Sequence, residues 1–216
     1  MTLDWINQFS AYPLIALLGY VIGSANLAYF IARLRGVDLR GGGSGNLGAS
    51  NTLVLMGWQA AILVGVHDIG KGALAVWLAR LLFPEAALCG AVAGVACVLG
   101  HMFPFYLSFR GGKGFASYLG MTLALNWKFA LVLMAAVLVL LLVTDYIVVG
   151  TMTTVVAAPV FCALTGRVAA ALVLCVASAV MIWKHRANLV RIANGTEIGF
   201  RSARKGKYRL NKKEAQ

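Results

Sequence analysis

The sequence predicts an all-α, polytopic membrane protein with about seven transmembrane helices, some of them short. Three observations predict it. Of 216 residues, 61% are hydrophobic and 12% charged, against about 25% charged in an ordinary soluble domain. Mean hydropathy is +0.83, and apolar runs near crossing length recur along the whole chain. Nineteen Lys and Arg stand against seven Asp and Glu, a formal net charge of +12, and many of these cations fall between the runs.

The first run covers residues 12–32. A signal peptide does not account for it, because Asp4 stands where a basic segment belongs and further spans follow. Arg33, Arg35 and Arg40 lead from it into a glycine island at 41–51, GGGSGNLGASN. Such a loop is either a solvated linker or a place where backbone N–H groups close on an anion. The second run, 52–82, exceeds one crossing, so its first turns project or tilt. It contains His67, Asp68 and Lys71; the last two are three apart on one helix face and form an ion pair or part of a site. Gly65 to Gly72 resembles a nucleotide phosphate loop but lacks a hydroxyl after Lys71 and a preceding strand, so that reading is rejected.

The third run, 86–108, ends in a second glycine island, Arg110-Gly111-Gly112-Lys113-Gly114. The fourth, 115–125, is half a crossing, and the fifth, 129–143, is short and ended by Asp145; together they predict a shallow helical hairpin. The sixth, 146–164, carries Pro159 as a kink, and the seventh is 168–183. The chain reads as a single domain, 1–216, with a basic tail at 201–216.

Grouping the first, third and fifth connections with the C-terminal segment collects Arg33, Arg35, Arg40, Arg110 and Lys113, leaving Arg80, Lys128 and Arg167 opposite. The positive-inside rule then places both islands and the C-terminus in the cytoplasm and the N-terminus outside. After the seventh run, His185, Asn188 and Arg191 recur every three residues and share a side if helical. Glycine loops, Lys113 and this amide-rich segment on one face predict a phosphate site at the lipid surface, whose ligand is an anion with an apolar tail. The basic charge points to anionic membrane lipids as partners, with no nucleic acid. Cys89, Cys97, Cys162 and Cys175 sit in apolar runs as core residues, and no metal or cofactor constellation appears.

Three stretches in order carry a specific resemblance: Gly43-Ser44-Gly45-Asn46-Leu47-Gly48-Ala49-Ser50-Asn51; Gly111-Gly112-Lys113-Gly114-Phe115-Ala116-Ser117; and His185, Asn188, Arg191, Gly195 and Glu197. With Gly19 to Ser24, Asp68 with Lys71-Gly72, and Gly100-His101 with Pro104, nearly the whole chain resembles the bacterial acyl-phosphate-dependent glycerol-3-phosphate acyltransferase family, PlsY. The resemblance implies acyl transfer from acyl phosphate to glycerol 3-phosphate, giving lysophosphatidate and phosphate, in a seven-helix protein of the bacterial inner membrane with a cytoplasmic active site and neither metal nor coenzyme A.

It further implies Ser44, Lys113 and His185 as catalytic. Gly43, Gly45, Asn46, Ser50, Gly111, Gly112, Gly114, Ser117, Asn188 and Arg191 are then substrate-binding, and Asp68, Lys71, His101 and Glu197 are structural or site-supporting. The second motif is assigned to the donor phosphate, and His185, Asn188 and Arg191 to glycerol 3-phosphate. Ser44 either orients substrate or contacts the oxyanion, and the proton acceptor is either His185 or a donor phosphate oxygen. Direct transfer is preferred to an acyl-serine. Three departures stand out: Val54 replaces the usual arginine, Ser50 and Ser117 replace threonine, and Asn26 replaces a proline. Val54 leaves open a paralogue with another phosphorylated acceptor or weakened activity, unless another cation, Arg40 or Lys71 for example, comes close enough to the glycine pocket to replace the missing arginine. An anion transporter is the reading from a different class.

Overall fold

The computed structural model describes residues 4–204, and among them every regular element is helical. The helices are α1 (Asp4–Ser24), α2 (Leu27–Leu34), α3 (Ala49–Met56), α4 (Trp58–Leu82), α5 (Cys89–Met102), α6 (Phe115–Leu125), α7 (Trp127–Thr144), α8 (Ile147–Leu164), α9 (Val168–Ala193) and α10 (Phe200–Arg204). Six stretches are long and apolar enough to cross a membrane, and α6 is a seventh, shorter apolar helix of 11 residues. The chain is a multi-pass membrane protein. Apolar side chains such as Leu138, Val139, Leu172 and Val176 remain exposed around the bundle, the surface a bilayer covers.

Close packing rests on small residues. A Cβ on Gly19 or Gly23 of α1 would strike the backbone of Ala93 or Cys97 on α5, and one on Gly72 or Gly120 would strike the facing backbone between α4 and α6. Lipid tails supply no hydrophobic drive between helices, so backbone approach at such positions provides the contact.

Several boundaries differ from the sequence expectation, each for a local reason. The first run is broken at Asn26, whose side chain accepts the Tyr29 N–H (2.9 Å) and donates to Leu47 O (3.2 Å). The residue in the proline position thus caps α2. The second run divides at Gly57, with φ +85°, into α3 and α4. The expected shallow hairpin is corrected: α7 begins earlier, at Trp127, capped by Asn126 onto the Phe129 N–H (3.0 Å), and reaches spanning length at 18 residues. Pro159 lies inside an α8 that continues through it. The seventh run continues without interruption to Ala193, which makes His185, Asn188 and Arg191 part of α9. Of the basic tail, 201–204 belong to α10 and 205–216 lie outside the described residues.

The Asp68/Lys71 pair forms at 2.9 Å, with both side chains almost wholly buried. Lys71 also donates to Ala25 O (2.7 Å) and lies 2.8 Å from His101 Nδ1. Ala25 sits at the break between α1 and α2, where a helical carbonyl loses its partner. Lys71 fills that vacancy and Asp68 neutralises Lys71, so the buried charges stabilise the break.

Candidate active site

One cavity of about 400 Å³ opens at the end of the bundle where both glycine islands and the C-terminal end of α9 meet. Three walls build it.

The first wall is the loop before α3. Gly43 and Gly45 take left-handed φ of +58° and +67°, holding Ser44 between them. The organiser is Asn51, buried at 1% exposure. Its Oδ1 accepts the Ser44 N–H (2.8 Å), while its amide donates to Leu39 O (2.7 Å) and Gly42 O (3.3 Å). Ser44, Asn46, Gly48, Ala49 and Ser50 face the cavity. The N-cap residue of α3 is Gly48, which offers no side chain to the first helical N–H groups, so they meet the cavity uncapped.

The second wall is the loop before α6. Only part of this island faces the cavity. The Gly111 and Gly112 N–H groups donate to Met102 O and His101 O, both at 3.1 Å, and neither glycine lines the cavity. They serve close approach: a Cβ on Gly112 would strike the His101 imidazole. What reaches the cavity is Lys113 and the N-terminus of α6, through Gly114, Phe115 and Ala116. Gly114, with φ +90°, gives α6 no side-chain cap. Ser117, expected in the site, is fully buried outside the cavity, and its hydroxyl lacks a hydrogen-bond partner among the described residues. Two uncapped helix N-termini, α3 and α6, therefore open onto one space, and each favours an anion.

The third wall is α9. His185 and Asn188 are buried at 5% and 6% exposure, and Arg191 completes the row. Lys113 donates to the Asn188 side-chain oxygen. Glu197 accepts from the Asn188 amide (2.5 Å) and from Arg191 Nε (2.6 Å), fixing which way the amide points. His185 Nδ1 lies 2.8 Å from Met181 O. A carbonyl only accepts, so Nδ1 carries the proton and Nε2 keeps its lone pair. Burial lowers the Lys113 pKa from 10.5 to about 8; the Arg191 and Lys184 charges act in the same direction and Glu197 opposes them.

Asp68 and His101 line the inner part of the cavity, whereas Lys71 does not. Val54 does line it, and neither proposed substitute reaches that place. Arg40 donates to Leu107 O (3.0 Å) and Arg110 O (2.9 Å), and Lys71 is held at the α1–α2 break. Gly45 lies outside the lining, its N–H bound to Gly42 O at 3.0 Å.

Sequence reasoning missed four contributors. Asn51 was read as part of the loop and not as its organiser; an asparagine just after a glycine run was the available signal. Lys184 donates to Met102 O (3.0 Å) and lies over the Phe103 ring, steadying the end of α5. Thr151 of α8 and Phe200 of α10 also line the cavity, and no local pattern announces either.

A sequence model described as glycerol-3-phosphate acyltransferase matches residues 13–195. Among curated proteins, the glycerol-3-phosphate acyltransferase of Jannaschia sp. is 44% identical over 188 residues, 85% of this chain and 90% of that one. The one from Clostridioides difficile is 36% identical over 195 residues, 88% and 96% of the two chains. A crystal structure of PlsY, an integral membrane glycerol 3-phosphate acyltransferase, in its glycerol 3-phosphate form aligns with TM-score 0.82 at 32% identity, covering 88% of this chain and 96% of that one. The lysophosphatidic acid form aligns with TM-score 0.79 at 31% identity, covering 89% and 98%. The chain belongs to the glycerol-3-phosphate acyltransferase family.

Proposed function

We propose that the protein transfers a fatty acyl group from acyl phosphate to glycerol 3-phosphate, releasing lysophosphatidate and inorganic phosphate. One observation carries the reading: two uncapped helix N-termini and Lys113 converge on a cavity whose third wall presents His185, Asn188 and Arg191. Related proteins named for glycerol 3-phosphate, and a neighbour solved in a glycerol 3-phosphate form, support the acceptor.

An acyl phosphate is already activated, so the protein has to hold two anions together and stabilise the carbonyl oxyanion. Lys113 and the α6 N-terminus take the donor phosphate, and the α9 row takes the acceptor. The acceptor hydroxyl oxygen attacks the acyl carbon, the bond from that carbon to the phosphate oxygen breaks, and phosphate leaves with the electron pair. The hydroxyl proton goes to His185 Nε2 or to a donor phosphate oxygen. Among the described residues no base hydrogen-bonds the Ser44 hydroxyl, which supports direct transfer over an acyl-serine and leaves Ser44 to orient substrate or meet the oxyanion. Neither metal nor coenzyme A enters these steps.

The protein belongs in this reading to the bacterial inner membrane, with the site and C-terminus cytoplasmic and the N-terminus outside. Arg33, Arg35, Arg40 and Arg110 on the cavity side support that orientation. Purified protein given acyl phosphate and glycerol 3-phosphate is expected to release phosphate and form lysophosphatidate; transfer from acyl-CoA alone would overturn the donor assignment. Val54 in the cavity wall favours a second reading, a different phosphorylated acceptor, which an acceptor screen with one acyl phosphate separates.

A further inference from the structure

The segment that follows α9 crosses the cavity. Ile198, Phe200 and Ala203 line it, and Ala203, 5% exposed, joins a buried cluster with Leu53 and Val54 of α3. Glu197 holds the near end of this strap through Asn188 and Arg191.

The far end is held from another part of the chain. Asp145, in the turn between α7 and α8, has a left-handed φ of +67° and closes α7 through its N–H to Leu141 O (2.9 Å). Its carbonyl accepts the Phe200 N–H (2.8 Å), and its carboxylate accepts the Arg201 N–H (2.9 Å). The Arg201 guanidinium returns the contact, donating to Leu142 O (2.6 Å). At Gly199 a Cβ would strike the Asp145 carboxylate. The Arg201 Nε also lies 3.9 Å from the same carboxylate, so one acid in the α7–α8 turn meets the strap at residues 199–201.

We infer that Asp145 is a positioning residue for the transfer reaction: it pins the 198–203 strap across the cavity and, through the strap, sets Glu197 against Asn188 and Arg191. Asn188 in turn holds Lys113. The inference rests on the acyl-transfer reading for its kinetic consequence, but the strap's attachment can be measured without it.

The test compares Asp145→Ala, Asp145→Asn and Glu197→Gln in liposomes. Asparagine keeps an oxygen for the Arg201 N–H and tolerates a left-handed backbone, so Asp145→Asn is expected within about threefold of wild type. Asp145→Ala is expected to raise the KM for glycerol 3-phosphate by about tenfold with a smaller change in kcat. Combined with Glu197→Gln it should lose little beyond Glu197→Gln alone, because both act through one strap. Gly199→Ala, which presses on the same contact from the other side, should reproduce the KM change if Asp145→Ala does not fold.

Independently of activity, a cysteine in place of Ala203 should react with a membrane-impermeant maleimide at least about fivefold faster in the Asp145→Ala or Gly199→Ala background. A wild-type protein that transfers no acyl group overturns the acyl-transfer reading and leaves labelling as the test of the strap. Unchanged labelling overturns the inference. So does Asp145→Asn as damaging as alanine, or additive losses in the double variant.

Discussion

The two glycine-rich loops open onto the same cavity but are built in opposite ways. The first is held by a side chain: Asn51 reaches back to Leu39, Gly42 and Ser44. The second is held by backbone, its Gly111 and Gly112 N–H groups bound to the last carbonyls of α5, with the His101 ring packed on Gly112. The first presents hydroxyls, an amide and a helix N-terminus with Val54 behind them, and no cation. The second presents Lys113 and a helix N-terminus. Glycine content therefore identified two loops at one cavity, but their chemistry depends on what surrounds the glycines.

The largest expected effect falls on the second loop. Lys113→Ala should lower kcat/KM by about 10²–10³-fold, the range for removing one group that stabilises developing charge. A loss below tenfold would put the anion elsewhere. Raising the pH should do the same reversibly. The ammonium is the active form, and burial lowers its pKa to about 8. The kcat/KM profile should therefore be flat below about pH 8 and fall about tenfold per unit above it. Glu197→Gln removes the one opposing carboxylate and should move that limb lower.

Next is Gly112→Ala, whose Cβ meets the His101 ring; a loss of about 10–10²-fold is expected from the displaced Lys113. Gly45→Ala, in the first loop, meets only Arg40 O at 3.1 Å and should chiefly cost about 1 kcal/mol of stability through its positive φ. Equal kinetic damage at the two glycines would collapse the contrast between the loops. Asn51→Ala should raise a substrate KM by about tenfold and lower the melting temperature, since it strands buried backbone groups; an unchanged melting temperature would show that the loop holds itself. The smallest change is a gain. Val54→Arg should lower the KM for one anionic substrate by about threefold, and an acceptor screen of that variant shows which anion the first loop meets.

Much of the fold was legible because a bilayer imposes a simple rule on sequence: long apolar runs, separated by cations. The run expected at 146–164 is α8, Ile147–Leu164, and the short helix expected at 115–125 is α6 with the same bounds. The misses share a cause. Asn26 and Gly57 break apolar runs without ending them, and Trp127 begins α7 inside what reads as a polar interruption. At the site, Lys113, His185, Asn188 and Arg191 were visible as polar residues at helical spacing or after glycines. Gly111, Gly112 and Ser117 lie outside the cavity lining, a placement that sequence does not give because it does not say where an N–H or a hydroxyl points.

By itself the sequence determined that the chain lives in a membrane, where most of its apolar runs lie, and that glycines, a lysine and an amide-rich helix end gather on one face. Those properties follow from composition and from the 3.6-residue repeat, both of which are local. Only the tertiary structure decided which N–H groups are free, that Asn51 and Lys184 hold the loops, that Arg40 and Lys71 are committed elsewhere, and that Asp145 holds Arg201, 56 residues further along the chain. Asn51 reaches only 7 to 12 residues back; the others depend on contacts between residues far apart in sequence, and hydrogen-bond partners at such separations leave no period in the chain to read.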